Sequence, residues 1–148
     1  MTERIEAPPN LVWDLICDPT AMAAFTEECV TMEWIGGSSQ PAVGARFRGR
    51  NRSGWRRWST SCTIVRYQPG QEIAWDVAFG PLSVARWGYR LDPGAEDGTS
   101  VISESFEDRR SSALRALGPV VRGTADTDGL NRANMSTTLA RIKTRAEA

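Results

Sequence analysis

Apolar residues recur along this chain with two different periods. Leu11, Val12, Leu15 and Ile16 are spaced as one face of a helix, and Met22 with Phe25 gives a second, shorter helix its apolar side. Both stretches open on proline. Pro8-Pro9 sits where a helix's first N–H groups need no partner, and Asp18-Pro19 places an N-cap acceptor before a helix-compatible φ. From Val30 the period drops to two. Gly36-Gly37-Ser38-Ser39, Ser53-Gly54, Pro69-Gly70, Gly80-Pro81 and Asp97-Gly98 then divide the chain as hairpin turns do. The spacing predicts strands over 30–35, 44–52, 57–67, 72–79, 84–92 and 100–108, with a seventh over Thr2 to Glu6. Between Arg109 and Gly123 the alternation stops. Leu114, Leu117, Val120 and Val121 form one apolar turn interrupted by Gly118-Pro119, and the segment reads as a mobile connection or lid. From Thr124 to Glu147 there is no proline, and Met135, Leu139 and Ile142 recur at helical spacing. A helix of up to roughly 35 Å follows, long enough to cross a sheet.

This order implies an α+β fold in which the last helix covers the concave face of the sheet. A six- to seven-stranded curved antiparallel sheet wraps around the long C-terminal helix, with two short helices after strand 1. A cavity belongs in the gap between helix and sheet. The chain has 148 residues and neither a repeat nor a linker, so one domain over 1–148 is expected. No apolar run approaches the roughly 18 residues that span a bilayer. Glu3, Arg4 and Glu6 interrupt the start where an export signal would be apolar, and the cytoplasm is the expected location.

Composition mainly removes alternatives. Net charge is zero, so no global field directs the chain to nucleic acid or anionic membrane. Histidine is absent, which excludes Ser-His-Asp and Cys-His nucleophile systems and the imidazole ligands of most catalytic zinc and iron sites. No DxDxDG-like loop or GxxxxGK cradle is present. Neither a metal nor any other cofactor is expected. Cys17, Cys29 and Cys62 are odd in number and lack a CxxC pair, and they read as buried free thiols. Of 18 basic residues only Lys143 is lysine, which discounts arginine counts as a signal. Arg46, Arg48, Arg50 and Arg52 nevertheless share one face of a strand. They are either an anion-binding patch or a convex, solvated face balanced by acids on neighbouring strands.

Strand parity selects the residues facing the cavity. Strand 72–79 favours Ile73, Trp75, Val77 and Phe79, and strand 84–92 favours Trp87, Tyr89 and Leu91. Strand 100–108 then turns Ile102, Glu104 and Phe106 inward, strand 57–67 Trp58, Thr60, Cys62 and Ile64, and strand 44–52 Phe47 and Asn51. Six tryptophans suit an apolar pocket, or else simply fill the core. Glu104 is the exception among apolar neighbours, and an inward carboxylate needs a partner or must become neutral. It either meets a ligand's hydroxyl or carbonyl or moves a proton; alternatively it pairs with an arginine or sits at the cavity mouth. On the last helix Asn131, Asn134, Met135 and Thr138 form a stripe with Ile142. It sets amides and a hydroxyl against a ligand, or leaves the asparagines solvated near the helix start.

The run IEAPPNLVWDLICDPTAMAAF, followed by GWRRWSTSCTIVRYQPGQEIAWDV, ARWGYRLDP and GTSVISESFEDRR, resembles the START/birch-pollen-allergen (SRPBCC) superfamily in its bacterial polyketide cyclase/dehydratase-like branch. The resemblance covers essentially the whole chain. It implies the helix-grip fold, and a function among carriers of lipids and sterols, hormone receptors and aromatic cyclases. Within SESF, Glu104 resembles the inward glutamate of some ligand-receiving members. The expected partner is a small hydrophobic molecule, with no nucleic acid and no membrane span, and a homodimer is left open. Three functions follow: a non-catalytic carrier or sensor, a cyclase or dehydratase using Glu104 or Tyr89, and an interaction module using the arginine face. The first is preferred, because no proton-transfer pair stands out at a fixed spacing.

Overall fold

A computed structural model describes residues 1–116 and 127–148. The elements follow in the order β1 (Thr2–Ile5), α1 (Pro9–Ile16), α2 (Pro19–Met22), β2 (Cys29–Ile35), β3 (Arg46–Ser53), β4 (Arg56–Gln68), β5 (Glu72–Phe79), β6 (Leu82–Pro93), β7 (Ser100–Asp108), a helical turn α3 (112–116) and α4 (Thr127–Ala146). The helix starts use the devices legible in the chain. Pro9 is the first residue of α1, and the Asp18 carboxylate accepts from the Thr20 N–H at 2.8 Å to cap α2.

Strands β2 to β7 form an antiparallel meander, and β1 adds to β7, giving the order β1-β7-β6-β5-β4-β3-β2. Since β1 and β2 are opposite edges, α1 and α2 must carry the chain from one edge to the other. That path is short only if the sheet curls. Register shifts between Cys29 and Thr31, between Ile64 and Arg66, and between Val77 and Ala78 supply bends of the kind bulges make.

The bulges also reverse side-chain parity. In β4 the inward set Thr60, Cys62, Ile64 gives way beyond the bulge to Tyr67, whose ring meets Trp13 of α1 at 6.0 Å. Curling divides the interior in two. At one end Ile5, Val12, Ile16, Ile73, Leu91 and Ile102 pack with Leu139 and Ile142, the C-terminal half of α4, into a closed apolar core. At the other end the N-terminal half of α4 presents Asn131, Met135 and Thr138 across the sheet. Arg141 holds the helix down by donating to the Phe25 and Thr26 carbonyls and to Glu27, and Lys143 donates to the Arg4 carbonyl and pairs with Glu3.

The period-two arginines are exposed on the convex face. Glu33 of β2 takes both Arg48 and Arg50, as expected of a solvated face balanced by a neighbouring strand. One expectation fails for two of the thiols. Cys62 is buried, but Cys17 and Cys29 are half-buried, because each sits at the end of an element and not in its middle. No described helix is long and apolar enough to cross a membrane.

Candidate ligand cavity

Between α4 and the concave sheet lies a cavity of about 310 Å³, at the lower end of the range small-molecule pockets occupy. Each strand from β2 to β7 contributes. Phe47 and Asn51 come from β3, Trp58, Thr60 and Cys62 from β4, Trp75 from β5, Trp87 and Tyr89 from β6, and Glu104 from β7. Asn131, Asn134, Met135 and Thr138 face them from α4.

Phe106 is a correction. It has the inward parity, yet its ring lies 4.8 Å from that of Trp87 and does not line the cavity. Its ring packs instead against the indole directly opposite it in register.

Parity alone missed other lining residues. Leu82 and Val84 face the cavity although Trp87 and Tyr89 do too, because the shift between Val77 and Ala78 reverses the phase of β6. Glu28, Cys29 and Met32 line it from the edge strand β2 and the loop before it, and Arg110 and Leu114 from the segment after β7. Glu28, Cys29, Met32 and Arg110 carried no periodic signal, and Leu114 falls in the segment read as a lid. The lid expected over 109–123 is described only to residue 116, and residues 117–123 lie outside the described residues.

Aromatic rings form a continuous run across the floor. Trp34 meets Phe47 at 6.0 Å, Phe47 meets Trp75 at 5.6 Å, and Trp75 meets Tyr89 at 5.7 Å, the first two contacts edge-to-face. Trp58, Trp75 and Trp87 line the cavity, Trp13 and Trp34 pack against the core, and Trp55 stands in solvent. Both readings of the tryptophans are therefore realised in part.

At the end of this run Tyr89 and Glu104 are directly opposite in register, and the phenol donates to Glu104 Oε1 at 2.6 Å. Glu104 is 3% exposed, and no group among the described residues bonds its other oxygen, Oε2. Burial pushes the carboxyl up to about 7, with the Tyr89 hydrogen bond and the terminal ammonium acting the other way. Burial, and next the Glu104 charge, hold the phenol well above its ordinary value, so it stays a donor. Neither structural alternative for Glu104 is realised: its partner is a tyrosine and it lies deep.

The other polar groups are largely spent on the protein. Asn51 Nδ2 donates to Thr60 Oγ1 at 3.2 Å, Asn134 Nδ2 to Glu28 Oε2 at 3.2 Å, and the Thr138 hydroxyl to the Asn134 carbonyl at 2.9 Å. Asn131 is 5% exposed and not solvated. Burial raises Cys29 to about 11 and Cys62 to about 12, which keeps both thiols protonated and poorly nucleophilic. Among the described residues no cluster of His, Cys, Asp or Glu could hold a metal ion. The chemistry on offer is thus an apolar aromatic enclosure with one carboxyl oxygen to give.

Solved structures share this architecture. A conserved protein from Geobacillus kaustophilus matches 98% of this chain and 91% of its own, at 16% identity and a TM-score of 0.70. The di-domain ARO/CYC StfQ from the steffimycin biosynthetic pathway matches 99% of this chain and 44% of its own, at 13% identity and a TM-score of 0.68. Major latex-like protein 151 from Panax ginseng matches 100% and 95%, at 13% identity and a TM-score of 0.66. Such identities speak for the fold alone. No curated protein matches the sequence. The family model described as polyketide cyclase / dehydrase and lipid transport matches residues 1–147, and the chain belongs to that family.

Proposed function

We propose that the chain, as one ligand-binding domain over 1–148, encloses a small, largely apolar molecule carrying one oxygen function. That oxygen meets Glu104 Oε2 while the hydrocarbon lies against Trp58, Trp75 and Trp87. The supporting observation is the Tyr89–Glu104 pair, whose second carboxyl oxygen is buried in an apolar cavity without a partner among the described residues. An unmet buried polar group costs on the order of 1–3 kcal/mol, and a ligand hydroxyl or carbonyl relieves that cost. The role is that of a carrier or sensor. Titration with 2-naphthol and with naphthalene tests it: the hydroxylated ring should bind about ten-fold more tightly, since a hydrogen bond to a charged or acidic group is worth about that much. Equal affinity for the two would remove Glu104 from the reading.

A second reading, cyclase or dehydratase, is favoured by one observation: burial places Glu104 near neutrality, where a carboxyl serves as both base and acid. The carboxylate would take a proton from a carbon beside a carbonyl and return it to the hydroxyl that leaves as water. Turnover of a β-hydroxy ketone that vanishes in Glu104→Gln supports this reading, and unchanged turnover opposes it.

A further inference from the structure

The rim of the cavity has a composition that the proposed ligand does not require. Strand ends β3/β4 and β5/β6, the start of β2 and the end of β7 all lie at one end of the sheet, because the meander is antiparallel throughout. Four of the seven exposed large apolar side chains among the described residues lie there: Trp55 (81% exposed), Leu82 (45%), Phe79 (44%) and Val30 (43%). Phe79 and Leu82 also line the cavity, so it opens at this end. Trp55 is at the tip of the β3–β4 hairpin, thrust forward by a two-residue turn in which Gly54 takes φ +61°.

The hairpin is also basic. Arg56 lies over the Trp55 ring, its guanidinium carbon 4.6 Å from the ring centre. Arg52 and Arg57 are directly opposite each other in register, and both are exposed. Like charges facing across a strand pair destabilise it, so the fold gains nothing from this pairing. Neither has an ion pair among the described residues, whereas Glu27 is taken by Arg141, Glu28 by Asn134, and Asp108 by Arg110 and Arg115 at the same end. An amphipathic indole near the exposed guanidinium groups of Arg52 and Arg57 matches the interface of a bilayer bearing negative headgroups, where tryptophan settles at headgroup depth and each cation gains from the surface potential.

We infer that this end of the sheet docks on an anionic lipid bilayer, with Trp55 entering the interface, Arg52 and Arg57 on the headgroups, and the cavity mouth facing the lipid. Docking is independent of what the cavity holds, so its test uses vesicles and no added ligand. Flotation with phosphatidylcholine vesicles containing about a third phosphatidylglycerol should carry the protein, and pure phosphatidylcholine vesicles should carry much less. Binding should fall about five-fold for each arginine removed in Arg52→Ala/Arg57→Ala, and by a comparable factor in Trp55→Ala. Val43→Ser, which changes an exposed apolar residue on the loop before β3 at the other end of the sheet, should bind as the parent does. Melting temperatures of the arginine variant at or above the parent's would show that lost binding is not unfolding. No flotation on anionic vesicles, flotation unaffected by both hairpin variants, or equal loss in Val43→Ser would each overturn the inference. Retention of the arginines' effect on a DNA duplex with no vesicle binding would overturn it too.

Discussion

The Tyr89 hydroxyl and Glu104 Oε1 are 2.6 Å apart on directly opposed positions of β6 and β7. One strand pair thereby turns a buried carboxylate, costly on its own, into half of a hydrogen-bonded pair whose other oxygen remains available. The pair has a pH signature.

Glu104 is raised from the ordinary glutamate value to about 7 in the folded protein. Between roughly pH 4.5 and pH 7 the native state therefore binds more protons than the unfolded one, and stability falls as pH rises through this window. A shift of this size corresponds to about 3 kcal/mol. Urea unfolding at pH 5 and pH 8 should show the parent losing stability with rising pH relative to Glu104→Gln. Parallel pH profiles would mean that Glu104 is not held neutral.

Tyr89→Phe removes the donor and leaves the pocket's shape nearly unchanged. Since the phenol's hydrogen bond lowers the Glu104 value, its loss should move the carboxyl higher still. Carbon-detected titration of the Glu104 carboxyl reads this directly. The protein should also lose on the order of 1–3 kcal/mol, the usual cost of an orphaned buried acceptor.

Trp75 joins Phe47 to Tyr89 and is 4% exposed. Trp75→Ala should cost about 3–5 kcal/mol, as truncation of large buried aromatics does. Trp55→Ala, at the exposed hairpin tip, should change stability by less than about 0.5 kcal/mol. Thermal or urea unfolding of the two variants side by side checks both.

Gly49 lines the cavity, and an added Cβ there would meet Thr60 Oγ1 at 3.1 Å and Cys29 Sγ at 3.3 Å. Gly49→Ala should therefore fold, with its neighbours displaced by a few tenths of an ångström, and bind 2-naphthol more weakly than the parent. Unchanged affinity would place the ligand elsewhere.

Most of the fold was legible because its strands alternate cleanly: strand 72–79 is β5 and strand 100–108 is β7, residue for residue. Tryptophans and a lone glutamate at inward parity pointed to the cavity floor. Bulges limited the rest. A one-residue insertion changes no residue type, so the reversal that brings Leu82 and Val84 inward left no mark on the pattern. Phe106 shows the converse, since parity gives the side a residue faces but not whether its ring borders the cavity or packs on a neighbour. The Tyr89–Glu104 bond was not legible as a pair, because register depends on the turn between β6 and β7. Asn134 and Thr138 line the cavity, but their polar hydrogens go to Glu28 and to the helix backbone, partners fixed by tertiary geometry.

The central claim is that the interior admits a guest. The six indole N–H groups report on it in a ¹H–¹⁵N spectrum during titration with 2-naphthol. Saturable shifts at Trp58, Trp75 and Trp87, with Trp13 and Trp55 unmoved, are the predicted result. No shift at the three cavity tryptophans, or shifts confined to Trp55, would contradict it.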